Sequence, residues 1–137
     1  MTQLIKTYKI GERPKISDGK EVYKEIKKLF DPGKELLIVI ILDSQNGIIA
    51  REIVHIGGLN QAMVEPRAVF RKAISLNANS IIFAHNHPSG FLKPSNSDIV
   101  IRDKLKEAGE ILGIEILDNI IFNNKTYESY NVATKEE

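Results

Sequence analysis

The chain of 137 residues contains no cysteine and no tryptophan. Without cysteine there is no disulfide framework and no thiolate-based zinc site, so any metal has to be held by His, Asp and Glu. Long apolar runs are missing too. The longest, Leu36 to Leu42, is too short to cross a bilayer. The opening MTQLIKTYKI carries a charge at Lys6 and no extended apolar segment, so it does not read as a secretory leader. A cytoplasmic protein with no membrane role is the expectation. An excess of either charge is also absent: 19 basic residues stand against 18 acidic ones. That balance lacks the basic footprint of a dedicated nucleic-acid binder. With 42% apolar and 27% charged residues, the composition is that of a folded chain, not a disordered one. The length suits one domain with one core, here taken as 1–137.

What is present reads as strands interleaved with helices. The residues before Ile10 suit a short edge strand. Asp18 followed by Glu21 reads as a capping box that opens a helix through about Phe30, with Val22, Tyr23, Ile26, Leu29 and Phe30 along one face. Glu35 to Asp43 is an unbroken apolar run between two acids, as expected of a central strand buried on both faces. Asn46-Gly47 makes a hairpin turn into a second strand, Gly47 to Ile56, which Gly57-Gly58 breaks. Pro66 starts a second helix to about Leu76. Ser80 to Ala84 is a short strand, and a loop follows from His85 to Pro94. Ser95 caps a third helix that Gly113 ends, and Ile114 to Phe122 pairs with Thr126 to Tyr130. The tail ending in Lys135-Glu136-Glu137 is expected to fray. The sum is an α/β layered domain with a mixed sheet and about three helices.

Two of the three histidines lie two residues apart in AHNHPSG. In extended backbone, positions i and i+2 point the same way, so His85 and His87 can converge while Asn86 faces elsewhere. Pro88 supports this by keeping His87 out of helical geometry. Asp98 follows in the first turn of the third helix. Two imidazoles and a carboxylate form a three-ligand set with a coordination position left for water, whose proton is then lost near neutral pH. Chemistry at such a site also needs a nearby carboxylate to move protons. The competing explanation stays open at this point: an exposed His-x-His loop, with Asp98 merely favouring a helix N-terminus.

His85-x-His87-Pro88, six intervening residues, then Ser95-x-x-Asp98 is similar to the signature of the JAMM (MPN-plus) metalloproteases. Within that superfamily the chain resembles the RadC-like JAB domain family. The likeness runs through GGLNQAMVEPRAVFRKAISLNANSIIFAHNHPSG, PSNSD and LKEAGEILGIEILDNIIF, and more weakly through KELLIVIILDSQNGII, covering about residues 20 to 130. The resemblance implies a JAMM/MPN-like (cytidine-deaminase-like) fold and one Zn2+ held by His85, His87 and Asp98. It implies that Ser95 hydrogen-bonds the water or the developing oxyanion, and that Glu35 is the general base. It favours zinc over Fe(II), which the ligand set alone does not.

Two departures from the family pattern bear on activity. Glu65-Pro66-Arg67-Ala68 stands where relatives usually have His-Pro-Arg-Glu, and Asp118-Asn119 where they usually have Asp-His. Among other acids, Glu52 is expected to face solvent and Glu65 lies in a loop able to approach the site. His55 reads as a strand residue and Arg67 as a surface charge, both outside the site. Asn86 and Ser89 are candidates for substrate contact or for orienting a ligand.

Three functions follow as expectations. The first is a zinc hydrolase acting on an amide, peptide or isopeptide bond, with a peptide or protein substrate. The second is a DNA-repair role, which the family's name suggests; the charge predicts weak, salt-sensitive DNA contact. Too few residues precede the first helix for the helix-hairpin-helix region of longer relatives. The third is a metal- or partner-binding domain without catalysis. The oligomeric state stays open, a homodimer among the alternatives.

Overall fold

The apolar run at 36–42 becomes the centre of the molecule. In the computed structural model, which describes residues 4–58 and 63–130, it forms strand β2 (Leu36–Leu42), and all seven of its residues are buried. The other strands are β1 (Ile5–Thr7), β3 (Ile48–Ile56), β4 (Ser80–Asn86), β5 (Glu115–Phe122) and β6 (Tyr127–Ser129). They join in one six-stranded sheet of order β1-β3-β2-β4-β5-β6. Only β4 and β5 run parallel, so the sheet is mixed.

Alternation along β2 divides the interior into two cores. Leu37, Val39 and Ile41 pack with Val69, Phe70 and Ala73 of α2 (Pro66–Ser75) and with Ile101 and Leu105 of α3 (Asn96–Leu112). Leu36, Ile38, Ile40 and Leu42 pack with Val22 and Ile26 of α1 (Gly19–Ile26). The three layers are therefore α1, the sheet, and the α2–α3 pair. Each fully buried Ile or Leu contributes roughly 1.5–3 kcal/mol, which explains why the least polar segment occupies the middle strand. No helix among the described residues is long and apolar enough to cross a membrane.

Local signals act as their chemistry requires. The Asp18 side chain accepts from the Lys20 amide at 2.8 Å, and Glu21 Oε1 accepts from the Asp18 amide at 3.0 Å. The Asp18 and Ser17 amides, both donating to Glu21, hold its carboxyl down, to about 2. The first helix gives way at Ile26 to a single 3-10 turn, Lys27–Leu29. At the β2–β3 hairpin Asn46 takes a φ of 62°, which its short polar side chain tolerates.

Two expectations change. The strand after α2 does not stop at Ala84 but runs two residues further, because His85 and Asn86 continue the pairing with β5 opposite Ile121 and Phe122. Glu52 does not face solvent. Paired with Val39, it shares the face covered by α2, half-buried, and burial pushes its carboxyl up against the opposing charges of Lys72 and Arg71. The expected fraying of Lys135-Glu136-Glu137 lies outside the described residues.

Glu25 is buried on the α1 side, where Arg51 of β3 and the Tyr8 hydroxyl each reach it at 2.7 Å. Burial, then the Glu25 hydrogen bond and charge, push the Tyr8 phenol up to about 12 from 10.0. A raised pKa contributes stability that is complete below the unfolded value and is lost as pH rises through the folded one. Between pH 10.0 and about 12 the protein is expected to lose stability more steeply than a Tyr8→Phe variant, measured as urea midpoints across that window.

Gly109 in α3 passes close to the start of the next segment: a Cβ there would lie 2.6 Å from the Ile114 carbonyl oxygen. Gly109→Ala gains about 1 kcal/mol of helix propensity. Forcing apart a packed backbone contact costs about 1–3 kcal/mol, so the net expectation is destabilisation. A lower urea midpoint with an unchanged slope would show it.

Candidate metal centre

The candidate site forms where the carboxyl end of β4 meets the start of α3. Strand alternation keeps His85 on the α2–α3 face, two residues beyond Phe83, and it is 3% exposed. The chain then turns through Pro88 to Pro94 and enters α3 at Ser95. There the Ser95 amide donates to Asp98 Oδ2 at 2.8 Å and the Asp98 amide donates to Ser95 Oγ at 3.1 Å. This reciprocal cap fixes the Asp98 carboxylate, and the helix N-terminus favours its charge. His85, His87 and Asp98 each present a ligand atom, all within 4.8 Å of one another.

The orientation of the rings is informative. His87 Nδ1 lies 2.8 Å from the Phe91 carbonyl oxygen, which can only accept, so Nδ1 carries the proton and donates. In neutral His87 the other nitrogen, Nε2, then presents a lone pair. It faces Asp98 Oδ2 at 2.7 Å. Two acceptors at that distance repel unless a cation serves both. His85 Nε2 lies 3.0 Å from Asp98 Oδ1, yet off the line of a hydrogen bond, and this buried nitrogen has no partner among the described residues. The arrangement fits a metal ion bound by two imidazole nitrogens and a carboxylate, with a backbone carbonyl orienting one ring from behind.

Without a metal a proton takes that place. The hydrogen bond to Asp98 raises His87 above its ordinary pKa; burial opposes this, while the Asp98 charge, the Phe91 carbonyl and the Glu35 charge reinforce it. Burial pushes the Asp98 carboxyl up, but His85 and His87 against its two oxygens outweigh that and hold it well below the usual carboxylate range.

The loop behind His87 is braced at several points. The Gly90 amide donates to the His87 carbonyl at 2.9 Å, and Gly90 itself takes a φ of 84° that favours glycine. The Phe91 amide donates to Ser89 Oγ at 3.2 Å, so Ser89 shapes the loop that supplies the His87 acceptor. Asn123 Nδ2 donates to the Gly90 carbonyl and the Tyr130 hydroxyl to the Leu92 carbonyl, both at 2.9 Å. Asn123 and Tyr130 were not anticipated as supports, because no sequence pattern links residues 33 and 38 positions apart.

Glu35 reaches this place through the sheet. Because β2 and β4 are antiparallel with Leu37 opposite His85, the residues before β2 lie beside those after β4. The alternation that puts Leu37, Val39 and Ile41 on the α2–α3 face puts position 35 there too. The other acids stay out. Glu65 pairs with Arg67 at 3.2 Å at the exposed start of α2, and Glu52 lies under α2 farther along β3. His55 Nε2 contacts the Gly58 carbonyl at 3.3 Å.

The RadC-like JAB domain family model matches residues 16–136. The chain belongs to the RadC-like JAB domain family. Similar proteins include a UPF0758 protein of Methanosarcina mazei, 41% identical over 130 residues, and one of Clostridium perfringens, 42% identical over 135. Another, from Aquifex aeolicus, is 39% identical over 131 residues. The matches cover 94%, 94% and 95% of this chain but only 57%, 58% and 57% of those proteins. This chain therefore spans somewhat more than half the length of the curated relatives it matches. The layered α/β architecture agrees with a JAB domain, and the family together with the His85–His87–Asp98 group fits a metal-dependent hydrolase.

Of the two departures from the usual family residues, Asn119 sits nearer the site. It is buried in β5 opposite Phe83, on the face that carries His85, and its Oδ1 has no partner among the described residues. Ala68 lies on α2 in a shallow hollow with Glu65, Arg67, Arg71 and Ile74.

Purified RadC-like domain is expected to carry one equivalent of a divalent metal by elemental analysis. His87→Ala should lose it while the far-UV spectrum stays unchanged.

Proposed function

We propose that this domain is a zinc-dependent hydrolase of amide bonds in a peptide or protein, of the metallopeptidase or isopeptidase type. The observation that supports it most is the pair of facing acceptors, His87 Nε2 and Asp98 Oδ2, 2.7 Å apart with the buried His85 Nε2 beside them. Such a set asks for a cation. Three N/O ligands with one position left over is the pattern of catalytic zinc. Bound there, zinc supplies a Lewis acid that acidifies a coordinated water and polarises a carbonyl.

The chain's own residues divide the remaining work. Glu35, half-buried and close enough for its charge to act on His87, accepts the proton of the attacking water and returns it to the departing amine. The Ser95 Oγ accepts from the Asp98 amide, which leaves its hydroxyl proton to donate to the oxygen on which charge develops. Pro88, Phe91 and Leu92 line an apolar hollow beside His87 and Ser95, so the substrate approaches over an apolar wall. A protein or peptide suits that wall better than DNA does, and a net charge of +1 offers little attraction to phosphates.

Glu35→Gln tests the assignment. Removing a general base typically costs about 10²–10⁴-fold in turnover, while the three ligands are untouched. Hydrolysis of a quenched-fluorescence peptide library should fall by that factor with the zinc content retained. Unchanged turnover would remove Glu35 from the mechanism. Zinc binding with no hydrolysis even in the unaltered protein would instead favour a metal-binding domain without catalysis.

A further inference from the structure

Asn86 stands between the two histidines, yet it does not share the face that carries His85. His85 and its neighbour Phe83 lie on the α2–α3 face, so Asn86 turns away with Ala84, and it is 1% exposed. Backbone pairing between β2 and β4 ends with Leu37 opposite His85. Just beyond that point the Asn86 side chain takes over. Its Oδ1 accepts from the Leu36 amide at 2.8 Å, and its Nδ2 donates to the Lys34 carbonyl at 2.9 Å.

These two bonds close on either side of Glu35. A third, from the Gly57 amide to the Glu35 carbonyl at 2.8 Å, comes from the end of β3. Gly57 has a φ of 115°, a conformation that L side chains rarely adopt. The segment so held is otherwise the last part of an exposed turn, Asp31 to Lys34. One carboxamide thus acts as a substitute peptide group, offering a donor and an acceptor where an antiparallel partner strand would have offered the same.

We propose that Asn86 is the positioning residue for Glu35: the tripeptide His85-Asn86-His87 places two metal ligands with its outer members and the proton-transferring carboxylate with its middle one. The inference rests on the reading of Glu35 as the base, although the clamp itself does not. The amide's bonding capacity is directed at the two residues flanking that carboxylate, across 50 and 52 positions of sequence. An apolar residue would fill the space with no hold on Glu35.

The test uses the full chain loaded with zinc, as Asn86→Ala and Asn86→Asp. Leu36 amide hydrogen exchange should accelerate by about tenfold or more in the alanine variant and stay slow in the aspartate variant, which keeps the acceptor. Zinc affinity, read by chelator competition, should fall by less than the roughly 10–100-fold that loss of a ligand-orienting bond costs, since both Asn86 side-chain bonds go to residues 34 and 36 and neither to a ligand. On the quenched-fluorescence peptide library, kcat should fall by about tenfold or more in the alanine variant with KM nearly unchanged, and less in the aspartate variant. In a Glu35→Gln background the alanine substitution should cost nothing further, since positioning an absent base is void.

Equal losses with and without Glu35 would overturn the proposal, as would zinc affinity falling in step with kcat. If the alanine variant does not fold, the aspartate variant decides: reduced kcat with zinc retained supports the clamp, and unaltered kcat overturns it. If the unaltered protein hydrolyses no peptide, the hydrolase reading fails separately. The placement is then read from the zinc-induced change in the Glu35 carboxylate ¹³C shift. Its loss in the alanine variant supports the clamp, and its persistence overturns it.

Discussion

The carboxylate of Asp98 is the constraint on which the rest of the site depends. One oxygen accepts from the Ser95 amide and faces His87 Nε2, and the other faces His85 Nε2. The same side chain therefore starts α3 and gathers the end of β4 to it. Burying such a charge without partners would be costly, and here the helix N-terminus and the Ser95 amide compensate for it. Because α3 is the crossover between the parallel strands β4 and β5, its starting point is set by sheet geometry as well as by the cap. The geometry of the candidate site is in this sense set by the fold as much as by the loop that carries His87.

The antiparallel contact of β2 with β4 brings a further carboxylate, that of Glu35, toward the group. A strand that begins where its neighbour ends brings residues of distant sequence to one edge, and Glu35 arrives beside His87 by that route. Its negative charge is felt there, being one of the influences that raise the His87 pKa. Membership of the RadC-like JAB domain family agrees with this layout. The family alone says nothing of how position 35 is held, which is where Asn86 and Gly57 enter.

Much of this was legible from residue order, and the reasons differ by element. The unbroken apolarity of 36–42 identified the middle strand, because only a strand covered on both faces tolerates it. Asp18 with Glu21, and Ser95 with Gly113, marked helix ends because capping is a local matter of a few residues. The convergence of the histidines is legible from strand alternation, but the end of the strand is not: the stretch from His85 to Pro94 reads as loop, while pairing with β5 carries β4 through Asn86. The orientation of Glu52 was misread because a lone acid in an apolar strand looks solvent-facing until the covering helix is known. Contacts from Asn123 and Tyr130 were out of reach, since a side-chain bond to a distant carbonyl leaves no periodic trace.

Those two late residues give the site a temporal order. A chain made from its N-terminus exposes His85, His87 and Asp98 before Asn123 and Tyr130 exist to hold the carbonyls of Gly90 and Leu92. Contacts of large sequence separation also form late in folding, after loop closure has been paid in entropy. The wall beside His87 is therefore finished by residues of the β5–β6 hairpin and its flank, far along the chain from the loop they back.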